Sequence, residues 1–132
     1  MEWVKIDGRT YDVHVDEITR TFTIKQSQNS GATIGIGAPE ILDPIGTYIG
    51  HTIRFRAKPG REHELEKLWE YVLQPRYRGV MVDIVYGQGT LKYEAKITTG
   101  TQPLKRIDPE TNKVYWGVFS LNIAPTRAQV TP

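Results

Sequence analysis

Cysteine is absent from this 132-residue chain. That excludes disulfides, thiol chemistry and cysteine-based metal sites, and it suits a reducing cell interior. A charge excess is also missing. The 17 basic and 15 acidic residues leave a formal net charge of +2, which gives no bulk argument for nucleic acid or a membrane surface as partner. No apolar run approaches the roughly 20 residues of a membrane helix, so no membrane partner is expected. The chain opens on MEWVKIDG, which reads as strand at once, so no signal peptide is expected. There is no internal repeat and no low-complexity tract. The length predicts one domain over 1–132, enough to bury about two-thirds of its unfolded surface around a single core.

Helical periodicity is scarce as well. It occurs over 61–74, where Leu65, Leu68, Trp69, Val72 and Leu73 fall at offsets of three, four, seven and eight. Glu62 and Glu64 lie in the first half, where the helix dipole favours acids, and Pro75 stops the run. The rest alternates at period two. Trp3 to Ile6 is a short apolar strand closed by Asp7-Gly8. Tyr11, Val13 and Val15 alternate with Asp12, His14 and Asp16. Ile18, Phe22 and Ile24 then share one side, opposite Thr19, Thr21 and Thr23. Ile53, Phe55 and Ala57 alternate with polar residues up to the Pro59-Gly60 breaker. Val80–Tyr86 and the Leu91–Ile97 alternation read as a hairpin around Gly87-Gln88-Gly89. A turn cluster over 108–113 precedes one long aromatic strand from Val114 to Ile123, and the tail from Pro125 reads as polar and loose. The fold class that follows is mainly β: an antiparallel β-sandwich or barrel of seven to eight strands flanked by a single α-helix.

The segment 26–50, QSQNSGATIGIGAPEILDPIGTYIG, departs from both periods. It has five glycines, two prolines and two charged residues, Glu40 and Asp43. A loop of this length without periodicity is unusual in a compact domain. Disordered linkers are charged and poor in apolar residues, whereas this one carries several isoleucines. Each gains roughly 1.5–3 kcal/mol on full burial, so the segment reads as an extended arm that lies on a surface. We assign that surface to a neighbouring copy, with Ile34, Ile36, Ile41, Leu42 and Ile45 as the oligomer-interface residues of the arm. Fully extended, the arm reaches up to about 80 Å.

Other candidate chemistry reads blandly. Asp12, His14 and Asp16 are spaced to share a strand face, but only His51 and His63 remain elsewhere to complete a metal site. No metal and no cofactor is therefore expected. His51, with Ser27 and Ser30 upstream, lacks a nucleophile-elbow context. GATIGIG is not followed by the lysine and hydroxyl residue of a phosphate loop. Arg54 and Arg56, with Arg76 and Arg78 around Tyr77, form a small basic group, assigned to a polar subunit interface or a lumen. Nucleic acid is an unlikely partner on charge, except in passage through such a lumen.

The strings LDPIGTYIGHTIRFR, PRYRGVMVDIVYGQGTLKYEA and NKVYWGVFSLNIAP, together with WVKIDGRTYDV, cover most of the chain. They resemble small tail proteins of siphophage-like viruses and Gram-positive prophages. The likeness is to the N-terminal domain of distal tail proteins and, more broadly, to the tail-tube fold, whose β-sandwich or barrel with one helix forms hexameric rings. The resemblance implies a non-enzymatic structural subunit, a homo-oligomeric ring, other tail proteins as partners, and a place in the virion tail after assembly in the bacterial host cytoplasm. Distal tail proteins carry a second domain, so the length points to a tube, adaptor or minor tail role as well. Two other readings stand beside it. One is a monomeric carbohydrate-binding β-sandwich using Trp3, Trp69 or Trp116. The other is a small enzyme with a pocket joining at least two of Asp12, His14, Asp16, His51 and Asp83.

Overall fold

A computed structural model describes residues 3–27 and 42–132. Among these residues eight strands and one helix follow in the order β1 (Val4–Ile6), β2 (His14–Gln26), β3 (Pro44–Arg56), α1 (Glu62–Val72), β4 (Val80–Tyr86), β5 (Gly89–Thr101), β6 (Leu104–Ile107), β7 (Val114–Trp116) and β8 (Phe119–Pro125). Six strands form one antiparallel sheet in the order β1-β4-β5-β8-β3-β2, and β6 and β7 form a second, two-stranded sheet. The protein is thus mainly β with a single flanking helix, as the alternation pattern implies.

Turn chemistry fixes the register. Asp7 and Gly8 both have positive φ, 52° and 75°, the requirement of a two-residue I′ turn. Their turn closes with paired Ile6 and Arg9. Gly87, at φ 60°, occupies the glycine position of the tight loop between Tyr86 and Gly89. Pairing across the sheet then sends one parity of every strand inward. Val82 faces Tyr93, Ile97 faces Ile123, Ile53 faces Leu121, and Phe55 faces Phe119. Ile53, Val82, Ile84, Ala95, Phe119 and Leu121 have essentially no exposed surface.

The helix covers this inward face at the Phe55–Phe119 end. Leu65, Leu68 and Val72 are buried, and Trp69 meets the Phe119 ring edge-on at 5.1 Å. The sheet also coils until its edges approach. Trp3 and Val4 line the same cavity as Val13 and Val15, and the Arg20 guanidinium lies 4.8 Å from the centre of the Tyr86 ring.

The structure departs from the sequence reading in four places. Residues 44–50, read as arm, are the first half of β3 and pair with β2 along its whole length. The aromatic strand starting at Val114 is interrupted after Trp116, where the Gly117 amide donates to the Pro103 carbonyl, and resumes at Phe119 as β8. Leu104–Ile107 is a strand that the pattern does not announce. The tail is docked rather than loose. The Thr126 amide donates to the Glu94 carbonyl, and the Gln129 side chain both accepts from the Ile49 amide (2.9 Å) and donates to its carbonyl (2.8 Å).

A candidate assembly surface

The feature that stands apart from the core is a ribbon. β3 pairs with β8 only over His51–Phe55, yet it pairs with β2 from Pro44 to Arg56. The upper halves of β2 and β3 therefore run on past the sheet. On one side the tail backs this extension through reciprocal bonds between Thr47 and Gln129–Val130. Gly46 permits that approach, because a Cβ there would lie 2.7 Å from Ala128 Cβ. On the other side β2 ends the sheet, so among the described residues its outer edge has no strand partner.

The side chains of the ribbon continue the parity of the core. Ile18 pairs with buried Ile53, Phe22 with Ile49, and Ile24 with Thr47. Ile18 and Ile49 still pack inside, but Phe22 is 68% exposed and Ile24 about half exposed. Leu42 and Ile45, two of the expected arm residues, are 69% and 50% exposed at the ribbon's end. Ile34, Ile36 and Ile41 lie outside the described residues. Arg20, Phe22, Ile49, Tyr86 and Val130 line a shallow cavity of ≈ 450 Å³ at the ribbon's base.

Just below this cavity sits a buried polar pair. His51 is 2% exposed, its Nδ1 lies 2.8 Å from the Tyr93 hydroxyl, and the two rings stack. Burial, with Arg20 adding repulsion, holds the His51 pKa below its ordinary value, and burial pushes the Tyr93 phenol up. His51 Nε2 is buried without a hydrogen-bond partner among the described residues.

The four arginines do not share one setting. Arg54 stands opposite Glu17 on the polar face of β3. Arg56 pairs with Asp16 at 2.9 Å. Arg76 is tied to the Tyr71 and Gln74 carbonyls and stacks on the Tyr71 ring. Arg78 lines a cleft with Arg76 and the fully exposed Tyr77.

The candidate catalytic and metal residues scatter. Asp12 binds Lys58, which holds its carboxyl below the usual range. His14 and Asp16 lie together at a bulge in β2, while Asp83 is on β4, opposite Lys5 and Lys92. Among the described residues no group of three or more His, Asp or Glu is placed to hold a metal, and no helix is long and apolar enough to cross a membrane. Of the tryptophans, Trp69 is partly buried and packs against the core, while Trp3 and Trp116 line separate cavities.

Sequence reasoning missed a second exposed apolar face, on the β6–β7 hairpin. Leu104 pairs with Trp116 and Ile107 with Val114, so these four share a face, and each is roughly half exposed. Arg106 and Lys113 cover the Tyr115 ring on the opposite face. The turn cluster over 108–113, flanked by two apolar pairs, was the available signal.

The ribbon and the hairpin define a mainly-β domain with two projecting two-stranded elements. No family model, curated protein or solved structure matches the chain.

Proposed function

We propose that this chain is a non-enzymatic structural subunit of a phage or prophage-type tail that self-assembles into a ring in a tube, adaptor or distal tail role. The observation that supports it is the β2–β3 ribbon: the inward parity of the sheet continues past the core and leaves Phe22, Ile24, Leu42 and Ile45 exposed beside a strand that, among the described residues, ends the sheet. Exposed apolar surface on an edge strand is what association between subunits uses. The resemblance of most of the chain to small tail proteins points the same way. In this reading the subunit joins a virion tail after assembly in the bacterial cytoplasm, and its other partners are tail proteins.

The test is the mass of the purified chain across concentration, by light scattering and native mass spectrometry, with electron microscopy of any oligomer. Closed rings of one size are expected. A chain that stays monomeric at about millimolar concentration refutes self-assembly, and glycan binding by that monomer would favour a carbohydrate-binding module instead.

A further inference from the structure

We infer that the contact between copies is head to tail, with the β2–β3 ribbon of one copy seated on the β6–β7 hairpin of the next. The inference rests on the self-assembly reading and names the receiving surface.

Three observations carry it. First, the two surfaces stand at opposite ends of the sheet. The hairpin follows Thr101 and precedes Phe119, whose strand partner is Phe55, whereas the ribbon lies at the Thr47 end of the same strand. Eight residues of strand separate the two levels, roughly 25 Å. Two distinct surfaces at opposite ends make a heterologous contact, which propagates into a ring where the rotation between copies closes and into a filament where it does not, whereas one self-complementary patch would stop at a two-fold dimer.

Second, the areas match each other and match need. Phe22, Ile24, Leu42 and Ile45 on the ribbon, and Leu104, Ile107, Val114 and Trp116 on the hairpin, are each about half exposed or more. Each set offers roughly 350–450 Å² of apolar surface. A standard interface of about 800 Å² per partner, with a little over half of it apolar, needs about that amount.

Third, the hairpin has a place for an inserted side chain. Between it and the start of α1 runs a groove of ≈ 520 Å³ whose apolar walls are Ala57, Pro59, Leu65, Val114 and Trp116, with Arg56, Glu62, His63 and Glu66 also lining it. A two-stranded sheet is marginal by itself. Covering this one's apolar face would bury Leu104, Ile107, Val114 and Trp116 together with Phe22 and Ile24 of the next copy.

The experiment uses two double variants of the full chain. Phe22→Ser with Ile24→Lys spoils the ribbon and leaves the hairpin intact. Ile107→Ser with Trp116→Lys spoils the hairpin and leaves the ribbon intact. All four positions are exposed, and circular dichroism checks that each variant folds. Wild type should form oligomers, and each variant alone should be monomeric. An equimolar mixture should give a species of two chains and no larger one, because a single good contact remains. If the hairpin variant assembles like wild type, or if the mixture stays monomeric while wild type assembles, the receiving surface is elsewhere and this inference falls while self-assembly stands. If wild type itself stays monomeric, self-assembly fails and takes this contact with it.

Discussion

Acidification should weaken this fold through one residue, His51. The imidazole is 2% exposed, and burial together with Arg20 lowers its folded-state pKa below the ordinary 6.5. Below pH 6.5 the unfolded chain therefore binds a proton that the folded chain resists. Stability falls as pH drops from 6.5 toward the folded-state value, with a slope of at most about 1.4 kcal/mol per pH unit. Above about pH 7.5 the imidazole is neutral in both states and adds no slope. Asp12 and Glu62 also have lowered pKa values, but their ordinary values are 3.8 and 4.5. Their loss begins about one pH unit above those values, so pH 6.5 to 5.5 isolates the histidine from them. His51→Phe keeps a ring beside Tyr93 and removes the titration. It also strips the Tyr93 hydroxyl of its partner, at a cost of about 1–3 kcal/mol, offset in part because the orphaned Nε2 goes too. The variant should be about 1–2 kcal/mol less stable than wild type at pH 7, and the two should converge as pH falls to 5.5. Urea titrations followed by tryptophan fluorescence, at concentrations below assembly, measure both. Parallel stability curves for wild type and variant would refute the assignment of the acid slope to His51.

Two further outcomes follow from single contacts. Gln129→Ala removes both hydrogen bonds to the Ile49 backbone; it should cost about 1–2 kcal/mol and speed amide exchange at Thr47 and Ile49 while leaving Ile53 protected. Asp7 accepts from the Met81 amide at 2.8 Å and from the Tyr71 hydroxyl, and it sits at φ 52°. Asp7→Ala loses both bonds and strains the turn, so chemical denaturation should show a loss of about 2–3 kcal/mol, whereas Asp7→Asn should lose less because asparagine tolerates the left-handed turn.

What could be read in advance was what local chemistry decides. The Asp7-Gly8 turn, the Leu65–Leu68–Val72 stripe and the Val80–Tyr86 strand each carry their own signal, and each appears in place. What escaped is set by distant partners. Residues 44–50 look like arm because of Pro44, Gly46 and Gly50. Those two glycines are spaces for the returning chain: a Cβ at Gly50 would lie 3.0 Å from the Ile123 carbonyl, as one at Gly46 would collide with Ala128. Leu104–Ile107 is four residues with two cations, and it is a strand only because Val114–Trp116 pairs with it. The tail is polar, yet Gln129 binds as a clamp from 80 residues away. Of the proposed assembly surface, Phe22 and Ile24 were legible as one side of a strand. Their exposure was not, since it depends on where the core stops.

That stopping point carries the argument for function. Along β2 one parity runs Ile18, Arg20, Phe22, Ile24, and the inward face it belongs to is filled at Ile18 and open at Ile24. If these residues served the fold alone, the apolar pattern would have no reason to outlast the core. Threonine occupies the other parity of the same strand at positions 19, 21 and 23, and it would satisfy strand propensity equally well. The Phe22→Ser, Ile24→Lys variant separates the two demands. Stability of the monomer should change by no more than about 0.5 kcal/mol, because little is buried there, while assembly is lost. A large loss of monomer stability would mean that the ribbon folds onto its own domain, and the apolar face would then be core rather than contact.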